Sequence, residues 1–292
     1  MVTQIDVYKD FQFPTSCTKL KLNNEQTHVI AVGTYPPQYK VYVVEDNTEF
    51  FERRMDTDIV DFCFLTHSPR KLAFLRDDKT IEFHLNYNLH YKLRIPHFGR
   101  CLNRFSDNLY FCTDKELYRI DLARGAMSRV YNSDYELNTF SVSRTHGLSA
   151  LFSDGQLAFV DARQNEMVKH INFRENVING DFDANIIISV ATDQNLYMFD
   201  LRNMKPFIKS TVTGATKVIC HEKHCFVAYS EGIDIYDNVS KIDTLFSANI
   251  STFDLKDNVI FVGYCSSEIK TYYTGIGIIP KWCSYAEKYV ID

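Results

Sequence analysis

The sequence is short of several things, and each shortage excludes a class. No stretch approaches the ~20 consecutive apolar residues of a membrane-spanning helix. The first residues, Met1-Val2-Thr3-Gln4-Ile5-Asp6, offer neither a basic n-region nor an apolar h-region, so a soluble intracellular protein is expected. Glycine (11) and proline (7) are scarce among the 292 residues, which leaves turns to Asp, Asn and Ser. The charge excess is small, 32 Lys+Arg against 37 Asp+Glu for a net of -5. That argues against a surface built to grip nucleic acid all round, while leaving room for a local basic patch. The eight cysteines form no C-x-x-C pair and sit mostly inside apolar runs, as reduced, buried small hydrophobes do. No run of 12 or more residues carries a helical period, which excludes a helical solenoid. G-x-S-x-G, Walker-type and H-E-x-x-H motifs are missing too, so no enzyme is expected.

Aromatic residues, by contrast, are abundant, with 22 Phe and 18 Tyr, residues that favour strands. One pattern recurs along the chain: an apolar run, a polar turn, then an alternating run that ends on an acid. The clearest copies are Leu117–Asp121, Leu157–Asp161, Leu196–Asp200 and Ile233–Asp237. Weaker copies are Val41–Glu45, Ile81–Leu85 and Ile269–Tyr273. Their ends fall at 45, 85, 121, 161, 200, 237 and 273, intervals of 36 to 40 residues, which is the period of a four-stranded propeller blade.

The fifth copy resolves into four strands at 176–182, 186–191, 196–201 and 207–211. All-β is therefore the expected class, and a seven-bladed WD40-like β-propeller the expected architecture, over residues 1–275. Residues 4–13 are expected to close the last blade, and 276–292 to form a tail on the surface. The endings Val160-Asp161-Ala162-Arg163 and Phe199-Asp200-Leu201-Arg202 are degenerate W-D-x-R signatures, with Trp replaced and no Gly-His dipeptide opening any blade.

Several stretches go beyond generic propeller grammar. They are Gly33-Thr34-Tyr35-Pro36-Pro37, Val60-Asp61-Phe62, the run Leu89 to Arg100 with its R-I-P-x-F-G-R core, Thr271-Tyr272-Tyr273, and Pro280-Lys281-Trp282-Cys283-Ser284-Tyr285. Together they resemble the nucleolar protein ten family, WD40 proteins of the small-subunit processome. The resemblance implies a nuclear, nucleolar scaffold that supports pre-ribosomal RNA processing and small-subunit assembly. Its partners would be other processome proteins and the pre-ribosomal RNA particle, with no cofactor, membrane or small-molecule substrate. The family usually carries an N-terminal extension and a long charged C-terminal tail. Here the chain begins almost at the first strand and stops at Asp292, so a propeller-only role is expected.

Candidate contact residues follow from composition. Lys92, Arg94, His97 and Arg100 cluster beside Pro96 and Phe98 in the connection from the second repeat to the third. Tyr35 and Pro36 fall on the same expected rim. A rigid proline, aromatics and arginines suit an acidic peptide or RNA phosphate; the competing reading has Phe98 packed between blades and the arginines solvated or ion-paired. Trp282, the single tryptophan, either anchors the tail or serves a partner. Cys220, His221, His224 and Cys225 have zinc-ligand chemistry, yet their six-residue span fits a hairpin better than four ligands around one ion. The rival functions are a vesicle-coat or ubiquitin-ligase adaptor propeller and, from another class, an enzymatic or metal-binding propeller. The last needs inward-facing acids or histidines lining the centre, and no regular set is evident.

Overall fold

Short apolar runs separated by two- to four-residue polar turns can only fold back antiparallel on themselves. The computed structural model bears this out over residues 3–5 and 15–274, leaving out 26, 46–47, 144, 146, 162–163, 165, 184–185, 222, 238–239, 257 and 267. After β1 (Thr3–Ile5), the first repeat holds β2 (Ser16–Leu22), β3 (His28–Thr34), β4 (Gln38–Val43) and β5 (Thr48–Arg54). The second holds β6 (Ile59–Phe64), β7 (Lys71–Arg76), β8 (Thr80–Leu85) and β9 (Asn88–Arg94). The third holds β10 (Cys101–Phe105), β11 (Asn108–Cys112), β12 (Glu116–Asp121) and β13 (Ala126–Asn132). β14 (Leu137–Val142), β15 (Leu148–Asp161), β16 (Glu166–Phe182), β17 (Ile187–Thr192), β18 (Asn195–Asp200) and β19 (Lys205–Thr211) cover the fourth and fifth. The sixth holds β20 (Ala215–His221), β21 (His224–Tyr229), β22 (Gly232–Asp237) and β23 (Lys241–Phe246), and the last β24 (Ile250–Lys256), β25 (Val259–Tyr264) and β26 (Ile269–Tyr273).

The all-β propeller is as expected, but the seven separate blades are corrected to six. The strands form five four-stranded sheets and one six-stranded sheet, β14 to β19 in order. The reason lies in β15 and β16, which run unbroken for 14 and 17 residues. β15 pairs β14 through Ser149–Ser153 and β16 through Gln156–Asp161, with Gly155 at φ 73° between them. β16 in turn pairs β15 through its first half and β17 through Val177–Phe182. Two repeats thus share one hydrogen-bonded sheet. At the other seam β1 pairs β26 antiparallel, Thr3 opposite Tyr273, so the N-terminal strand completes the last sheet. Residues 6–13 and 276–292, expected as the rest of that strand and as the tail, lie outside the described residues.

Each third-to-fourth-strand pair from the first repeat to the sixth carries a bulge, as at Val41/Tyr42, Phe83/His84 and Ile235/Tyr236. Such bulges raise the local twist and bend the outer strand. Apolar side chains leave both faces of every sheet and meet those of the next repeat. Tyr39, Val41 and Ile30 pack on Phe62, Phe74 and Leu72 between the first two repeats. Cys17 and Leu20 pack on Val259 and Phe261 between the last and the first, which closes the ring.

Candidate functional site

The rim of the first three repeats displays most of the residues singled out by composition. Tyr35 stands 85% exposed at the β3–β4 turn, in the left-handed region at φ 57° and ahead of a cis Pro36. Its carbonyl accepts a hydrogen bond from Thr15 Oγ1 at 3.0 Å. The connection after β9 is pinned at both ends. The Ile95 N–H donates to the Lys79 carbonyl at 2.9 Å, and Ile95 is buried. At the other end Gly99 lies so close to Leu75 that a Cβ would come within 2.6 Å of its Cδ1, so only glycine fits without a shift. Between these anchors Pro96, His97 and Phe98 project to solvent. Phe98 is half exposed with the Lys79 ammonium 4.3 Å from its ring centroid, not packed between sheets.

The basic stretch is largely neutralised from within. Lys92 Nζ lies 3.3 Å from Asp78 and 3.6 Å from Glu82, and His97 Nε2 lies 3.7 Å from Glu116. Arg100 Nε donates to Asp114 at 2.6 Å, its Nη2 lies 3.5 Å from Glu136, and its Nη1 donates to the Leu137 carbonyl at 2.9 Å. Arg100 therefore joins the third repeat to the fourth. Arg94 remains exposed, without an ion pair among the described residues. Trp282 lies outside the described residues.

Cys220, His221, His224 and Cys225 sit on one hairpin with Cys220 opposite Cys225 and His221 opposite His224. Successive strand residues point to opposite faces, so the thiols and imidazoles do not converge. Among the described residues no group of three or more metal-ligating side chains occurs. Cys265 is exposed, contrary to the expectation for the cysteines, whereas burial pushes the thiols of Cys17 and Cys63 up to about 12.

Sequence reading missed a regular set of inward acids at the centre. Asp61, Asp181 and Asp254 occupy matching places on β6, β16 and β24. Each accepts its successor's N–H on one oxygen, Phe62, Phe182 and Leu255, at 2.9 to 3.0 Å. The other oxygen accepts an N–H from the next repeat: Leu102 at 2.9 Å, Cys220 at 3.1 Å and Leu22 at 2.7 Å. The shared signal was an Asp ahead of Phe or Leu in an inner strand. Lysines complete the pattern. Lys21 Nζ pairs with Asp61 at 2.7 Å and donates to the Phe62 carbonyl, and Lys217 Nζ donates to the Phe253 carbonyl at 2.6 Å. Burial pushes the Asp61 carboxyl up, but Lys21 and Lys19 outweigh it and hold the group below the usual carboxylate range. These carboxylates are occupied in joining repeats.

A ring of β-sheets with polar staples at its centre and turns presented on its rims defines an all-β propeller. Residues 1–292 match the family described as "Nucleolar protein 10-like, N-terminal domain", and the chain belongs to that family. It is 30% identical over 224 aligned positions to human Nucleolar protein 10, covering 70% of this chain and 33% of that one. It is 27% identical to rat Nucleolar protein 10 over 97% of this chain and 46% of that one. The Ribosome biogenesis protein ENP2 of Saccharomyces cerevisiae is 27% identical over 97% of this chain and 44% of its own length. The chain spans less than half the length of these relatives.

Proposed function

We propose that this propeller is a non-catalytic scaffold of ribosome biogenesis. It works in the nucleolus as a component of the small-subunit processome, supporting pre-ribosomal RNA processing and small-subunit assembly. The family membership supports the pathway, since its relatives are named nucleolar and ribosome biogenesis proteins. The observation that carries the docking role is the rim of the first three repeats. There Tyr35 and the pinned tripeptide Pro96-His97-Phe98 project from rigid turns, with Arg94 beside them. Rigid aromatic anchors beside an arginine lose little entropy on binding and dominate interface energetics. Lys92, His97 and Arg100 belong to this surface, with Arg100 holding the platform together. Trp282 and the tail after residue 275 are proposed as a further contact.

The test is affinity purification of the tagged protein, with mass spectrometry and RNA sequencing of what accompanies it. The triple variant Tyr35→Ala, Arg94→Glu, Phe98→Ala alters exposed side chains and should leave thermal stability unchanged. Recovery of early small-subunit factors and pre-ribosomal RNA should fall about tenfold. Unchanged recovery with a stable variant would move the contact off this rim. Recovery of a coat or ligase complex by the unmodified protein would overturn the pathway itself.

A further inference from the structure

On the rim opposite Tyr35 and Phe98, between the second and third repeats, lies a groove of about 710 Å³. Its apolar wall is Leu65, Phe83, Leu85, Tyr91, Leu93 and Leu122. Four of these rest on the buried core between the two repeats, so the floor is firm. Leu85 and Tyr91 stand 40% and 58% exposed. The β8–β9 bulge shapes the opening, since Phe83 pairs Tyr91 while His84 pairs Leu89, leaving His90 as the extra residue. His90 and Tyr91 consequently both line the groove. β9 ends its sheet, so its outer edge pairs with no strand among the described residues.

Around this wall the unengaged charges are two cations against one carboxylate. Lys71, His90 and Arg104 border it with Asp107 and Asp121. Asp121 is already engaged, accepting the N–H groups of Ala123 and Arg124 and lying 3.8 Å from the Arg124 guanidinium. Arg104 uses Nε on the Ser106 carbonyl and, like Lys71, makes no ion pair among the described residues. The groove thus presents an apolar floor bordered by Lys71 and Arg104, which outnumber the one unengaged carboxylate, Asp107. We propose that it docks a linear peptide of a partner protein, with bulky aliphatic or aromatic anchors flanked by carboxylates. The volume lies within the range of ~300–1,000 Å³ that buries a drug-sized ligand. Nucleic acid fits poorly, because a phosphate backbone would lie desolvated against an apolar wall. This surface is independent of the opposite rim and of any role in ribosome assembly.

The test is fluorescence anisotropy with a labelled peptide of about ten residues, leucine and phenylalanine set among glutamate and aspartate, and a twin carrying lysines for the acids. The acidic peptide should bind about tenfold tighter than its twin, and Tyr91→Ala should weaken it about fivefold. The double variant Lys71→Glu, Arg104→Glu should reverse the preference. Should Tyr91→Ala fail to fold, the exposed Leu85→Asn replaces it with the same expected loss. Equal binding of the two peptides, indifference to Tyr91→Ala and Leu85→Asn, displacement by oligouridylate, or self-association that blocks the groove would each overturn the proposal.

Discussion

Lys217 stands at the centre of the ring, its ammonium donating to the Phe253 carbonyl and lying 5.5 Å over that residue's ring. Burial pushes this ammonium down to about 8, and Lys21 and Lys19 add to the drop against the opposing pull of Asp254 and Asp61. The folded value lies below the ~10.4 of an unfolded lysine, so between these values the unfolded chain binds the extra proton. Below pH 8 both states are charged and the full cost of burying the charge is present. As pH rises from about 8 towards 10, the cost of burying Lys217 should therefore fall, by on the order of 2–3 kcal/mol, while the raised thiols of Cys17 and Cys63 act in the opposite direction on the whole protein. Urea denaturation of the unmodified protein and of Lys217→Met across that window checks it. Lys217→Met should be more stable at pH 7 by about 1–2 kcal/mol, an advantage that shrinks as pH rises towards 10. A Lys217→Met advantage that stays constant from pH 8 to 10 would refute the assignment.

At the scale of elements, the strand most exposed to test is β1. Three residues, Thr3–Ile5, pair with Thr271–Tyr273 and cover the edge of the last sheet. Without them β26 becomes an open edge, a template for pairing with other chains. A chain starting at residue 15 should melt several degrees lower, since about 1 kcal/mol corresponds to about 2–4 °C for a domain of this size. It should also self-associate in light scattering, whereas an unchanged melting point in a monomer would mean the seam closes without β1. The boundaries of strands such as β17, β18 and β19 were readable within a few residues from alternation and turn residues. The fusion of the fourth and fifth repeats was not, because nothing local in 148–182 distinguishes a sheet break from continuous pairing.

In the molecule as a whole, polar links pass from each repeat to the next around the centre. Lys21 reaches Asp61, Asp61 reaches Leu102, and Arg100 reaches the Leu137 carbonyl. Ser141 donates to Asp181 at 2.9 Å, and Asp181 accepts from Cys220. Lys217 reaches Phe253, and Asp254 accepts from Leu22, 232 positions away in sequence. A closed circuit of this kind should unfold as one unit, so a break at the seam should cost as much as one elsewhere. Asp254→Ala and Asp61→Ala should each lose about 3–5 kcal/mol in urea denaturation, with a single transition and unchanged slope. A biphasic curve for Asp254→Ala alone would show that the seam opens independently.

The repeat period, the strand alternation, the all-β class and the family resemblance are local properties, set by which residues stand two or about forty places apart, and the sequence alone determined them. Tertiary structure decided whatever depends on partners far apart in the chain. It merged two repeats into one sheet, turned Arg100 from a free contact into a clasp on Asp114 and Leu137, and set the thiols and imidazoles of the 220–225 hairpin on opposite faces. It also brought Asp61, Asp181 and Asp254 to matching places at the centre. Hydrogen bonds and ion pairs act over a few ångströms in space, and only the closed ring determines which distant residues come within that reach.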